Sequence, residues 1–325
     1  AAEGVLEQLQ LEPKDVDLLI VNYMAGKTLP SLAARLHGHL EMRTDCDVVT
    51  LGDMGCSAAV AALDVAVKML AGQKGAKRAM VVSTEPVSNL FQKDNDKGAV
   101  VGNTLFGEGC AAVMLSTHRE AALFEIEGAQ RVIQTDEESL NVITLAHNEH
   151  GPMIQLSKKI PEVAGRAIEK NLRRLVPQFL PLTDKLKFAV TKKVPKWQRH
   201  IDWWAIHPGG TSVLDGFRKQ MKLSKADLGP SYQVFHERSN MSSPSVLYAL
   251  EHVEARGCKK RDRVMLMSFG SGFKVNAMIL RRGGRRSPMP RRKVAVVVGG
   301  TSGIGLDTAK QLAAEGYTLF IGSRR

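Results

Sequence analysis

The chain has 325 residues, enough to bury one large core or two medium ones, and four cysteines without paired spacing, which excludes a disulfide scaffold and points to a reducing compartment. A formal charge of +12 invites a nucleic-acid partner, but Arg281–Lys293 alone holds six Arg, one Lys and no acid. Removing those seven leaves +5, a modest excess suited to phosphate-bearing ligands, and 5% aromatics offers little stacking capacity for bases.

In chain order, the first third alternates β-rich apolar runs with helical stretches: strands over 17–22, 47–51 and 78–83, helices over 32–40 and 58–70. The run Ala58-Ala59-Val60-Ala61-Ala62-Leu63 is apolar nearly all round, so its helix is expected to be buried between layers. His147 and His150, beside Asn148 and Glu149, read as a solvated loop; no CxxC or HExxH is present, and no metal is expected. Helical spacing from Leu156 to Leu175 is expected to break at Pro177 and Pro181, before a basic surface connection over 185–199. A second α/β run follows, with a strand over 203–206, helices over 213–221 and 243–254, and a strand pair over 263–267 and 275–280. The stretch 281–292, rich in Arg, Gly and Pro, reads as a linker.

No apolar run approaches the roughly 20 residues that span a bilayer, and no signal-peptide layout opens the chain. It starts at Ala1 and stops at Arg325 after a strand-like run, so both ends read as cut.

Cys56 lies in Gly52-Asp53-Met54-Gly55-Cys56-Ser57-Ala58-Ala59, where a strand hands over to the buried helix. The positive end of that helix would favour a nucleophilic thiolate, and the small neighbours leave room for a substrate carbonyl and backbone oxyanion donors. A structural buried cysteine is the competing reading. His207, in Trp204-Ala205-Ile206-His207-Pro208-Gly209-Gly210, ends a strand where α/β folds place their sites, and is equally readable as a core residue. Asn240, in Arg238-Ser239-Asn240-Met241-Ser242-Ser243, is by itself readable as a helix N-cap.

Together these three blocks resemble the thiolase superfamily, and within it the very-long-chain 3-ketoacyl-CoA synthases and type III polyketide synthases, from about Leu11 to Leu280. Blocks similar to the synthases of long chains include Pro13-Lys14-Asp15-Val16-Asp17-Leu18-Leu19-Ile20-Val21-Asn22, Val82-Ser83-Thr84-Glu85, Leu156-Ser157-Lys158-Lys159 and Phe269-Gly270-Ser271-Gly272-Phe273-Lys274-Val275-Asn276. Val101–Gly109 and Asn240–Ser243 look more like the polyketide synthases.

The resemblance implies a thiolase-like duplicated layered α/β fold over 1–280, truncated at its N-terminus, with halves of about 1–150 and 151–280. It implies an acyltransferase that condenses acyl-CoA with malonyl-CoA, without a cofactor, to a 3-ketoacyl-CoA. Cys56 would carry the acyl group; His207 and Asn240 would decarboxylate malonyl-CoA. Phe106 would gate the pocket, with a core aromatic as the plainer reading, and Gly270, Ser271 and Gly272 would supply oxyanion donors. A homodimer is implied, as is an endoplasmic-reticulum membrane, cytosolic face, reached through N-terminal anchors that this chain does not contain. A type III polyketide synthase and an inactive scaffold are the alternatives.

Past the linker, Lys293–Val298 reads as a buried strand, followed by Gly299-Gly300-Thr301-Ser302-Gly303-Ile304-Gly305 and an amphipathic helix. This resembles the start of a short-chain dehydrogenase/reductase, an incomplete Rossmann unit over 293–325. Gly299, Gly303 and Gly305 would approach a pyrophosphate, and Arg324 and Arg325, in place of an acidic residue, would favour NADP.

Overall fold

The structure is a computed structural model. It describes every residue except 27, 73–76, 94–96, 119–121, 150, 192, 194–199, 285–292, 299–316 and 323–325. It divides into a unit of Ala1–Arg286 and a unit of Ser287–Arg325.

The first unit begins with α1 (Ala2–Leu9), β1 (Leu18–Asn22), α2 (Leu32–His39), β2 (Asp47–Leu51), α3 (Ala58–Ala71), β3 (Arg78–Glu85), α4 (Lys97–Leu105) and β4 (Gly109–Ser116). The strands form one sheet in the order β2-β1-β3-β4, parallel except for β4. β1 is apolar at four of its five positions because both its faces are covered. Leu18 and Ile20 point to one core, Leu19 and Val21 to another that α1 and α2 close.

The chain continues through β5 (Phe124–Ile133), α5 (Glu137–Asn141), the hairpin of β6 (Ile143–Asn148) and β7 (Gly151–Leu156), α6 (Ile160–Phe179) and α7 (Leu182–Thr191). Then come β8 (Trp203–Ile206), α8 (Thr211–Met221), α9 (Gly229–Arg238), α10 (Ser245–Ala255), β9 (Arg263–Gly270) and β10 (Lys274–Arg282). A second sheet has the order β5-β10-β9-β8, with β8 parallel to β9 and the other pairs antiparallel.

α3 lies between the sheets, touching β1 and β3 of one and β9 and β10 of the other, and α10 packs beside it on β8, β9 and β4. That middle position explains the all-round apolar sequence of α3: residues 58–63 are all buried. α6 and α8 cover the outer face of the second sheet, where Met265, Met267 and Phe269 meet Ile168, Leu172 and Leu175. The layering is thus helix, sheet, helix, sheet, helix: the thiolase-like α/β class expected from the sequence.

Several local expectations need correction. α6 runs through Pro177 to Phe179, because Leu172, Leu175 and Phe179 bury on the second sheet and outweigh the lost backbone bond. The stretch read as a surface connection begins as helix α7. His147 is not in a loop: it sits in β6, opposite Pro152 of β7, while His150 lies outside the described residues. β5, from the stretch placed in the first half, belongs to the second sheet. α1 and α9 are additional helices.

In the second unit, β11 (Lys293–Val298) and β12 (Tyr317–Gly322) pair in parallel, Lys293 opposite Tyr317. Gly299, Gly303, Gly305, Arg324 and Arg325 lie outside the described residues. Among the described residues no helix is long and apolar enough to cross a membrane.

Candidate active site

The C-terminal ends of β1, β2, β3, β8 and β9 converge, as the ends of parallel strands do where α/β folds bind ligands. β2 runs into a turn that carries Cys56 just ahead of α3. Asp53 (φ 57°) and Gly55 (φ 54°) both adopt the left-handed region that makes the turn tight. Ser57 donates to Met54 O at 2.7 Å, and Asn276 Nδ2 and Ser268 Oγ donate to Ser57 O at 2.7 and 3.3 Å. The nucleophile turn is therefore pinned from β9 and β10.

The β9–β10 turn closes over it. A Cβ on Gly270 would lie 2.9 Å from Met54 O and Ser57 N and 3.0 Å from Cys56 N, so only glycine fits. Ser271 approaches Gly55 and donates from its hydroxyl to Ile143 O at 2.8 Å, whereas Gly272 faces Lys274. Of the three loop residues expected at the site, Gly270 and Ser271 lie against the cysteine turn, while the Lys274 that Gly272 faces donates from Nζ to Asp53 O of that turn at 3.5 Å.

Cys56 is half-buried, and desolvation pushes its thiol up to about 11; the nearby Glu85 carboxylate pushes the same way. Hydrogen bonds from Ser242 and Asn240 oppose the shift without cancelling it. Burial and the Glu85 charge thus act against the thiolate that the positive end of the helix would favour.

His207 continues the β8 ladder by donating its N–H to Met267 O at 2.8 Å, and its ring meets Phe269 edge-on at 5.5 Å. Burial alone holds its pKa down at about 3. The imidazole is neutral at physiological pH. Nδ1 has no partner among the described residues, so hydrogen-bonding logic places the ring proton on Nε2, leaving only a lone pair unsatisfied.

Asn240 follows α9, anchored by Asn240 N to Leu105 O and Gly107 N to Asn240 O, both 3.0 Å, which pair it with Phe106 in a β-bridge. Its Oδ1 accepts from Ser242 N at 2.8 Å and its Nδ2 donates to Gly209 O at 3.3 Å, fixing the amide orientation. It does not cap α10, whose N-cap is Pro244. Phe106 lines a cavity of about 190 Å³ that is mostly apolar, with Leu90, Phe91, Met153 and Ile154 among its walls.

A buried polar network behind the cysteine was not read as functional in the sequence. Glu85 Oε2 accepts from Met24 N and Ala25 N at 3.0 and 3.4 Å. Its Oε1 accepts from Ser242 and Ser243 hydroxyls at 3.4 and 3.5 Å. Asn22 Nδ2 donates to Ser243 Oγ at 2.8 Å and Ser83 Oγ donates to Asn22 Oδ1 at 2.6 Å. Burial pushes the Glu85 carboxyl above its usual range against the pull of those four donors. A polar asparagine or glutamate closing an apolar strand was the available signal.

Comparison with known proteins supports this architecture. The family described as FAE1/type III polyketide synthase-like protein matches residues 1–196, and the C-terminal domain of chalcone and stilbene synthases matches residues 127–283. 3-Ketoacyl-CoA synthase 12 of Arabidopsis thaliana is 32% identical over 306 residues, covering 85% of this chain and 64% of the relative; 3-ketoacyl-CoA synthase 8 is 33% identical over 297 residues, covering 86% and 62%. This chain thus spans less than two thirds of those relatives.

Among solved structures, 1,3,6,8-tetrahydroxynaphthalene synthase from Streptomyces coelicolor A3(2), a bacterial type III polyketide synthase, aligns with a TM-score of 0.75 at 20% identity, covering 87% of this chain and 76% of that one. CsyB complexed with CoA-SH aligns with 0.75 at 21%, covering 87% and 77%. By sequence and architecture, the chain belongs to the FAE1/type III polyketide synthase-like family.

Proposed function

We propose that this chain carries the condensing site of a 3-ketoacyl-CoA synthase, joining an acyl-CoA to malonyl-CoA with loss of CO2. The single observation that carries the reading is the meeting of Cys56 and Asn240, with Ser242, at the ends of the parallel strands, in a chain whose relatives are 3-ketoacyl-CoA synthases. The Cys56 sulfur attacks the acyl-CoA carbonyl, its proton passes to the departing CoA sulfur, and an acyl-Cys56 thioester remains. The bond to the malonyl carboxylate then breaks and its electron pair moves onto the thioester as an enolate, which needs donors. His207 Nε2–H and the Asn240 amide are suited to that role, being fixed in place and, for His207, uncharged. The enolate carbon attacks the acyl-Cys56 carbonyl, the C–S bond breaks with its electron pair going to the Cys56 sulfur, which takes a proton from solvent, and the 3-ketoacyl-CoA leaves two carbons longer. Cys56 N beside Gly270 is the candidate donor to the second oxyanion, and the Phe106 cavity is the candidate acyl pocket.

Mass spectrometry of products from acyl-CoA and malonyl-CoA tests this. One CO2 released per 3-ketoacyl-CoA is expected, with Asn240→Ala lowering the rate by about 10²–10³. A folded protein that consumes no malonyl-CoA contradicts it. The type III polyketide synthase alternative is favoured by the Asn240–Ser243 segment, and several extensions ending in a cyclised product would establish it instead.

The reading of 293–325 as the start of an NADP-binding unit rests on the parallel pairing of β11 and β12 and on the intervening glycines of the sequence. NADP retention by a longer protein containing this segment would test it; no retention would remove it.

A further inference from the structure

α7 has an inverted face. Leu182, Leu186 and Val190 recur every fourth residue, on one side of the helix, and are 71%, 59% and 83% exposed. Phe188, on the other side, packs against the core of the second sheet, so the helix is seated by one aromatic while its aliphatic stripe faces outward. Three large aliphatic side chains aligned on one short helix are not the scattered exposure normal for a protein surface.

The borders of the stripe are basic. At 100° per residue, Lys187 flanks it on the Val190 side and Lys185 on the Leu182 side, and Lys193 follows the helix end. None of the three has an ion pair among the described residues, and the nearby acid Asp184 is engaged by His200 at 3.2 Å. The sequence from 185 to 199 contains six Lys or Arg and no acid. An aliphatic centre between lysines whose long stems reach past it is the layout of a helix lying in a membrane interface, its apolar side chains at the acyl boundary and its ammonium groups among phosphates. A protein partner covering this stripe would need an acidic rim on both sides. An anionic bilayer supplies that rim in any orientation.

We propose that α7 docks this protein peripherally on an anionic phospholipid surface, through Leu182, Leu186 and Val190 with Lys185 and Lys187 as electrostatic flanks. This stands apart from the condensation chemistry and survives or fails without it. It places a contact on the folded body, distinct from any membrane-spanning segment, and predicts that the site works beside the lipid phase that holds long acyl chains.

Co-sedimentation of the whole chain with vesicles tests it, comparing phosphatidylcholine alone with a phosphatidylcholine/phosphatidylserine mixture. Binding to the mixed vesicles, weakened by salt, is expected. The pair Lys185→Glu and Lys187→Glu is expected to lower the partition by more than tenfold, since each lysine at an anionic surface contributes roughly fivefold. Leu186→Asp should abolish binding, and because residue 186 is exposed the variant should melt like the parent. No binding, equal binding to both vesicle types, or binding indifferent to these variants overturns the proposal. Sedimentation velocity closes the remaining route: if Leu186→Asp converts an oligomer of the parent to a monomer, the stripe is a contact between copies and the membrane reading falls.

Discussion

Burial pushes the Cys56 thiol up to about 11, so its reactivity toward a small alkylating agent should climb steadily with pH toward that value and show no plateau near the ordinary thiol value of 9.0. Iodoacetamide kinetics followed on Cys56 by peptide mass spectrometry give this profile; levelling off at pH 8–9 would mean that the desolvation argument is wrong. The Glu85 carboxylate adds to the shift. Glu85→Gln keeps the shape, lets its amide oxygen accept from Met24 N and Ala25 N, and removes the charge. The variant's Cys56 profile should move to lower pH, with faster alkylation at pH 8. His207 gives a stability signature with a definite sign. Its folded-state pKa is about 3 and its unfolded value 6.5, so below pH 6.5 the unfolded chain binds the extra proton. The stability present above pH 6.5 is therefore lost as pH falls toward 3, by about 1.4 kcal/mol per pH unit. Urea melts should show His207→Gln losing less stability than the parent between pH 6.5 and pH 4.5; parallel losses would place a charged or solvated imidazole at this position. The local blocks around Cys56, His207 and Asn240 were legible in the sequence, and the roles of these residues belong to the proposed function. Their electrostatics were not legible: the helix dipole is visible in a strand-to-helix pattern, whereas the burial that opposes it comes from β3, β9 and the α9–α10 segment, all distant in the chain.

At the scale of elements, the β9–β10 turn and the cysteine turn act as one piece. Gly270→Ala would drive a methyl group against the backbone of Met54, Cys56 and Ser57, which cannot move aside as a flexible side chain can. A loss of about 1–3 kcal/mol in urea melts is expected, together with a slower Cys56 reaction; a variant of parental stability and rate would show that the two turns are not in contact. The central helix α3 and strands β1, β3, β8, β9 and β10 were readable because their burial leaves near-continuous apolar runs, and the edge strand β2 by its β-branched Val48-Val49-Thr50. α6 extends past Pro177 because its buried face continues to Phe179, a tertiary gain that local propensity does not contain. β6 and β7 escaped notice because each is half-exposed and polar at its tip, where pairing between neighbours supplies the order.

At the scale of the molecule, two sheets with shared middle helices bring together residues from β1 to β10, so the site depends on the whole of Ala1–Arg286. The crossing of β5 into the second sheet is a topological fact that periodicity cannot express, since a strand's sequence records what faces it and not which neighbour it pairs with. The family relationship supplied the layered class, and the burial of β1 on alternating faces supplies the physical reason the class holds here. The central claim is that Cys56 accepts an acyl group from a thioester. Its most direct test is intact-protein mass spectrometry of the chain after exposure to acyl-CoA without malonyl-CoA, followed by peptide mapping. The account predicts one acyl adduct per chain, located on Cys56 and absent from Cys56→Ala; no adduct on the folded protein, or an adduct that persists in Cys56→Ala on Cys46, Cys110 or Cys258, would contradict it.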